Sequence, residues 1–160
     1  TQSPSSAASD VYKRQVWVES AWDPIIPNLN AGEMCDVIIS AMTKTDARDE
    51  VVDFTSAYYT STQGVIGGTD APSITDVSEL NAAGVTIGVQ SGTTSDLYAA
   101  DNLGMATVSG YDDFPSVIAA LENGDVQYAM GDAPVLEEGG GRGDEEGADE
   151  DRAPEDGVLA

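Results

Sequence analysis

Val85-Thr-Ile-Gly-Val-Gln-Ser-Gly-Thr-Thr-Ser-Asp96 is the stretch whose reading decides the fold. Its opening, Val85-Thr-Ile-Gly-Val89, is apolar and β-branched around one glycine, the pattern of a short buried strand. Thr93-Thr-Ser-Asp96 then has capping-box spacing, an N-cap hydroxyl with an acid three residues on, and predicts a helix to about Asn102. A strand, a glycine turn and a helix start in immediate succession form the beginning of a βαβ unit. Downstream, residues 106–108 read as a strand, 114–122 as a helix closed by Asn123-Gly124, and 126–130 as a last strand.

The upstream half is punctuated in the same way. Asp23 and Pro24 form an N-cap and N1 pair, Ile25, Ile26 and Leu29 an apolar face, and Gly32 a stop. Residues 36–40 read as a short buried strand, and Thr45 caps a helix through about Val52. Tyr58-Tyr-Thr is an extended segment, read as a buried pair, that leads into 64–68, and Asp76-Val-Ser-Glu79 is a second capping box on a short helix. Alternating elements of this size predict an α/β fold with a mainly parallel sheet and right-handed crossovers. No internal repeat is evident.

The two ends do not share this pattern. Residues 1–15 are Ser-rich and aperiodic, and are set aside as a non-native or disordered leader. Residues 137–160 carry ten acids against Arg142 and Arg152 with few apolar residues, and are expected to be a disordered acidic tail. The formal charge of -23 makes nucleic acid and anionic membranes poor partners, and a halophilic or marine origin accounts for the same acidity. There is no histidine, which excludes imidazole bases, Ser-His-Asp triads and His metal sites. Cys35 is the single cysteine and reads as a small apolar core residue, so no internal disulfide forms. No run of apolar residues is long enough to span a membrane, and no signal peptide is visible.

Between residues 16 and 136 the only cations are Lys44 and Arg48, against eighteen acids, and both sit in Ser40-Ala-Met-Thr-Lys-Thr-Asp-Ala-Arg48. Arg48 is either a salt-bridge partner of Asp46, Asp49 or Asp53, or a ligand clamp whose planar donors suit a carboxylate. Two helix starts, Thr43 to Arg48 and Gly92-Thr-Thr94, offer first-turn N–H groups to an anion, the second with a glycine that permits close backbone approach. Gly92-Thr-Thr also reads as an ordinary cap, and lacks the lysine of a P-loop. Trp22 reads as a core aromatic or a pocket wall, and Asp132 as a turn-stabilising or ligand-pairing carboxylate. The acids of the tail lack the order of a calcium loop.

Four stretches in series carry a family resemblance: Trp22-Asp-Pro-Ile-Ile-Pro-Asn-Leu-Asn-Ala-Gly32; Asp36-Val-Ile-Ile-Ser-Ala-Met-Thr-Lys-Thr-Asp-Ala-Arg48 with Val52-Asp-Phe-Thr-Ser-Ala-Tyr-Tyr59; Ile87-Gly-Val-Gln-Ser-Gly-Thr-Thr94; and Gly124-Asp-Val-Gln-Tyr-Ala-Met-Gly-Asp-Ala-Pro134. With this spacing the chain resembles the amino-acid-binding branch of the type II periplasmic solute-binding proteins, the receptors of ABC importers. The resemblance implies two α/β lobes, each with a mainly parallel sheet flanked by helices: a partial lobe one over 16–63, lobe two over 64–131, and the start of a return crossing over 132–136. It implies that Arg48 grips a ligand carboxylate with Thr43, Gly92 and Thr94, that Asp132 and the Ala41 carbonyl receive the ammonium, and that Trp22 forms an aromatic wall. It implies no catalytic residue, metal or cofactor. Its partners would be a free amino acid and the membrane subunits of an ABC transporter, and its setting a monomer in the periplasm or at the cell surface. The family's first strand and helix and its C-terminal return have no counterpart, so lobe one is expected to be incomplete. A sensor ectodomain on the same fold is the alternative. An enzyme such as a dehydratase or a cell-wall hydrolase module is disfavoured by the absence of His and of a paired Glu motif.

Overall fold

The computed structural model describes residues 16–139 and the backbone of 158–159. The expected leader over 1–15 and most of the expected tail lie outside the described residues.

Strand β3 (Thr86–Gln90) lies inside a four-stranded sheet ordered β2-β5-β3-β4, formed with β2 (Gln63–Gly67), β4 (Thr107–Tyr111) and β5 (Tyr128–Asp132). It runs parallel to both neighbours, while β2 closes one edge antiparallel to β5. The reason lies in its alternation. Ile87 and Val89 are fully buried on one face, in a cluster with Leu80, Ala99, Leu103, Tyr128 and Met130. Gly88 points the other way, where a Cβ would come within 3.1 Å of Val117 and 3.2 Å of Val126, so glycine lets a helix lie against the strand.

Two helices cover the sheet. Helix α3 (Thr94–Asn102) is capped by the Thr93 hydroxyl, which accepts from the Asp96 N–H, and it buries Ser95 and Ala99. Helix α4 (Phe114–Asn123) is capped by Asp113, which accepts from the Ser116 N–H, and ends at left-handed Gly124. A short 3₁₀ turn (Val77–Leu80) carries the full capping box of Asp76 and Glu79. The expected parallel α/β unit from residue 64 onward is therefore present.

The first half is sparser than the sequence suggests. Helix α1 (Ile25–Ala31) ends at left-handed Gly32, as read, but α2 (Asp46–Asp49) is a single turn and stops short of Val52. Residues 36–40 form no strand, and Val37 and Ile39 are 66% and 67% exposed. Their apolar content fits a strand, yet no neighbouring strand is there to pair with among the described residues, and an unpaired strand leaves its backbone groups to water. No second sheet of lobe size forms among the described residues. Strand β1 (Tyr59–Thr60) pairs antiparallel only with the two-residue β6 (Val158–Leu159). Tyr58 and Tyr59 are exposed rather than buried, and Cys35 is only partly buried.

A second correction concerns residues 132–139. A helix α5 (Ala133–Gly139) stands where a return crossing and the first tail residues were expected. Its anchor is Leu136, 3% exposed. A Cβ at Gly64 would come within 2.8 Å of the Leu136 side chain, and one at Gly131 within 3.6 Å, so the two glycines clear its seat. The acids that follow Leu136 favour disorder by composition, but one well-packed leucine holds this turn.

Stability should therefore reside in the second half. Ile87→Ala is expected to cost about 2–5 kcal/mol in urea unfolding, whereas Ile39→Ala should stay within about 0.5 kcal/mol. Equal costs for the two would show that the first half is packed after all.

Candidate functional site

In an open α/β sheet the carboxyl ends of parallel strands converge on a crevice, because each strand hands over there to a loop and a helix start. Here β3 delivers Gln90, Thr93, Thr94 and Ser95, β4 delivers Asp112 and Asp113, and β5 delivers Asp132 to one cavity of about 470 Å3. The first half supplies the opposite wall with Trp22, Ala41, Thr43 and Arg48. That volume lies in the range of roughly 300–1,000 Å3 typical of small-ligand sites.

Arg48 belongs to the one-turn helix α2, whose Thr45 hydroxyl accepts from the Arg48 N–H at 3.3 Å. Its Nη1 donates to the Thr43 carbonyl at 2.7 Å and its Nη2 to the Gly92 carbonyl at 3.0 Å, so the guanidinium is fastened to both halves of the chain. The Trp22 ring lies below it, 5.5 Å from the guanidinium carbon to the ring centre, within cation–π range. The salt-bridge alternative is not formed: among the described residues Asp49 pairs with Lys44 at 3.0 Å, and Arg48 has no carboxylate within ion-pair distance. A single helical turn has too few aligned peptides for a useful dipole, so the attraction for anions on this side comes from the guanidinium rather than from the helix start.

Asp132 faces it without touching. Burial pushes its carboxyl above the ordinary range, against a hydrogen bond from Gln63 and the charge of Arg48 that pull it down. Burial also lowers the pKa of Arg48, opposed by the charge of Asp132. In both groups the loss of water outweighs their mutual attraction. Two half-desolvated opposite charges held apart across a cavity are suited to a molecule that brings its own anion and cation.

The backbone adds to this wall. Ala41 has φ 47°, the left-handed region, and is the one non-glycine residue there among the described residues. Such a conformation costs on the order of 1–3 kcal/mol and persists where the surroundings impose it. Met42, the next residue in the chain, is buried. On the other side Thr94 and Ser95 open α3, so their N–H groups have no preceding turn to donate to.

Of the residues singled out from the sequence, Trp22, Ala41, Thr43, Arg48, Thr94 and Asp132 meet on this cavity, and Gly92 does not line it. Gly92, with φ 69°, lines a smaller pocket of about 120 Å3 behind Trp22 and Arg48. Its N–H donates to Asp96 at 2.9 Å and its carbonyl receives Arg48, so its backbone holds the guanidinium and is not free for a ligand. The Asp96 side chain thus serves Gly92, where the capping-box reading had it return to Thr93. Sequence reasoning passed over Asp112 and Asp113, which line the cavity, gave Ser95 no role beyond its place in the Thr93–Asp96 capping box, and missed Gln63, which bonds to Thr94, Ser95 and Asp132; only strand order and register bring these residues together.

Residues 7–130 match the family model of the bacterial extracellular solute-binding proteins, family 3. Over 119 residues the chain is 31% identical to a Neisseria gonorrhoeae protein named "Probable histidine-binding protein", covering 72% of this chain and 42% of that protein. It is 34% identical over 125 residues to the L-arginine-binding protein of Pseudomonas aeruginosa, covering 77% of this chain and 47% of that one. The crystal structure of an ancestral amino acid-binding protein, a precursor of cyclohexadienyl dehydratase, superposes with a TM-score of 0.72 at 31% identity, over 76% of this chain and 53% of that chain. The chain thus spans less than half the length of these two named relatives.

The raised pKa of Asp132 has a measurable sign. A carboxyl whose folded pKa lies above its unfolded value favours the folded state once protonated, so that contribution is present at low pH and is lost as pH rises through the folded pKa. Asp132→Asn should therefore have a higher urea midpoint than the parent at about pH 7, the difference vanishing by about pH 3, below the ordinary aspartate pKa. Identical midpoints at neutral pH would mean that the Asp132 carboxylate is not desolvated.

Proposed function

The chain belongs to the bacterial extracellular solute-binding proteins, family 3, and from that membership we propose that it captures a free amino acid for delivery to the membrane subunits of an ABC importer, outside the cytoplasm. The observation that carries this reading is the placement of Arg48 and Asp132 on one cavity, apart from each other and each stripped of part of its water.

Each end of a zwitterion has a partner. The N–H groups of Arg48 that are not spent on Thr43 and Gly92 receive the carboxylate, together with the first-turn N–H and hydroxyl of Thr94. Asp132 receives the ammonium, with the strained Ala41 peptide beside it. The Trp22 ring bounds the ligand side chain. Charge-assisted hydrogen bonds contribute about 1.5–3 kcal/mol each, and micromolar affinity requires about 8 kcal/mol, so three or four such contacts are sufficient in magnitude.

The cavity favours a cationic side chain among amino acids. Asp112, Asp113 and Asp132 line it against a single guanidinium, so a ligand with an additional positive charge meets a surplus of carboxylate. Names that refer to arginine and histidine among the relatives point in the same direction. A binding role rather than a catalytic one agrees with those names.

Differential scanning fluorimetry tests the reading. Arginine, lysine or histidine at a hundredfold excess over Kd should stabilise the chain by about 2.7 kcal/mol, seen as a higher melting temperature, and glutamate should do far less. Arg48→Ala should abolish the response. If no amino acid moves the transition, or if Arg48→Ala responds like the parent, the reading is wrong.

A further inference from the structure

Gln63 and Asp132 are cross-strand partners: the first residue of β2 stands opposite the last residue of β5. The Gln63 amide is committed at both ends. Its Oε1 accepts from the hydroxyl of Ser95, a residue only 2% exposed. Its Nε2 donates to Oδ1 of Asp132 and, at 3.2 Å, to Oγ1 of Thr94. The oxygen and nitrogen of an amide lie in one plane with fixed polarity. Once the buried serine claims the oxygen, the NH2 group can only point toward Asp132 and Thr94.

Those two residues lie on opposite sides of the ligand chemistry. Asp132 is the seat assigned to the ammonium, and Thr94 belongs to the seat assigned to the carboxylate. We propose that Gln63, oriented by Ser95, is the positioning residue that sets both seats at once, holding the Asp132 carboxylate and the Thr94 hydroxyl at the separation that an α-amino acid requires. The inference rests on the reading of the cavity as an amino-acid site.

The chemistry of position 63 is restrictive. Leucine would leave Asp132 without its donor, free to turn away from the cavity. Glutamate would set a like charge directly opposite it across the strand pair. The charged groups around Asp132 are Arg48 and, on the same cavity, Asp112 and Asp113, while Glu137 on α5 is exposed. None of these groups is bonded to Asp132, so Gln63 is its one hydrogen-bond donor among the described residues.

Two measurements on the full chain test this. Carbon-detected NMR of aspartate carboxyls gives the titration midpoint of Asp132 without ligand, and calorimetry with L-arginine gives affinity. Gln63→Leu should raise the Asp132 midpoint and weaken arginine binding about tenfold, the loss of one charge-assisted hydrogen bond. Ser95→Ala, which keeps the amide but releases its orientation, should shift both in the same direction by less. An Asp132 midpoint unmoved in both variants overturns the proposal, and so does arginine affinity equal to the parent's in Gln63→Leu. If the parent binds neither arginine, lysine nor histidine, the receptor reading fails, while the midpoint still decides whether Gln63 positions Asp132.

Discussion

The packing of β3 governs this molecule. Its odd-numbered side chains, Ile87 and Val89, fill one layer, and Gly88 yields the other face to Val117 and Val126 of the opposite layer. A strand gripped on both faces and paired on both edges cannot slide, because a shift of one residue would turn its apolar side chains to the wrong layer. The ends of β4 and β5 are registered against it, so the positions of Thr94, Asp112 and Asp132 follow from the same constraint. The second half thereby holds its share of the cavity's polar rim in a set arrangement.

The first half is attached to the second by little more than Arg48 and its surroundings. Its guanidinium bonds to the Gly92 carbonyl beside the cavity and stacks near Trp22, while most of the neighbouring backbone from residue 33 to 41 has no regular partner. Local stability is therefore uneven, high around β3 and low around the segment that carries half of the site. The less ordered half is thus the one that brings the cation, Arg48.

Much of this was legible in the sequence, and the residues say why. Strand β3, the cap at Thr93, the box at Asp76 and Glu79, and the stops at Gly32 and Gly124 all depend on neighbours within a few positions, which a sequence displays directly. Arg48 stood out because it is nearly alone as a cation. The strand expected over 36–40 failed because pairing depends on a distant edge, and the helix at Ala133 was missed because its stability comes from two glycines far apart in the chain that make room for Leu136. Gln63 was invisible for a related reason: it acquires meaning only from its register against Asp132.

The way Arg48 is held has a consequence for how such a site tolerates genetic drift. Its anchors are the main-chain oxygens of Thr43 and Gly92, which every amino acid possesses. Replacing the side chain at position 43 leaves that anchor intact, so hydroxyl, methyl or larger groups can be exchanged there and alter the contour offered to a solute without loosening the arginine. Position 92 lacks that freedom because its backbone is left-handed. Diversification of ligand preference is thus channelled to one side of the clamp, while the fastening itself remains unchanged.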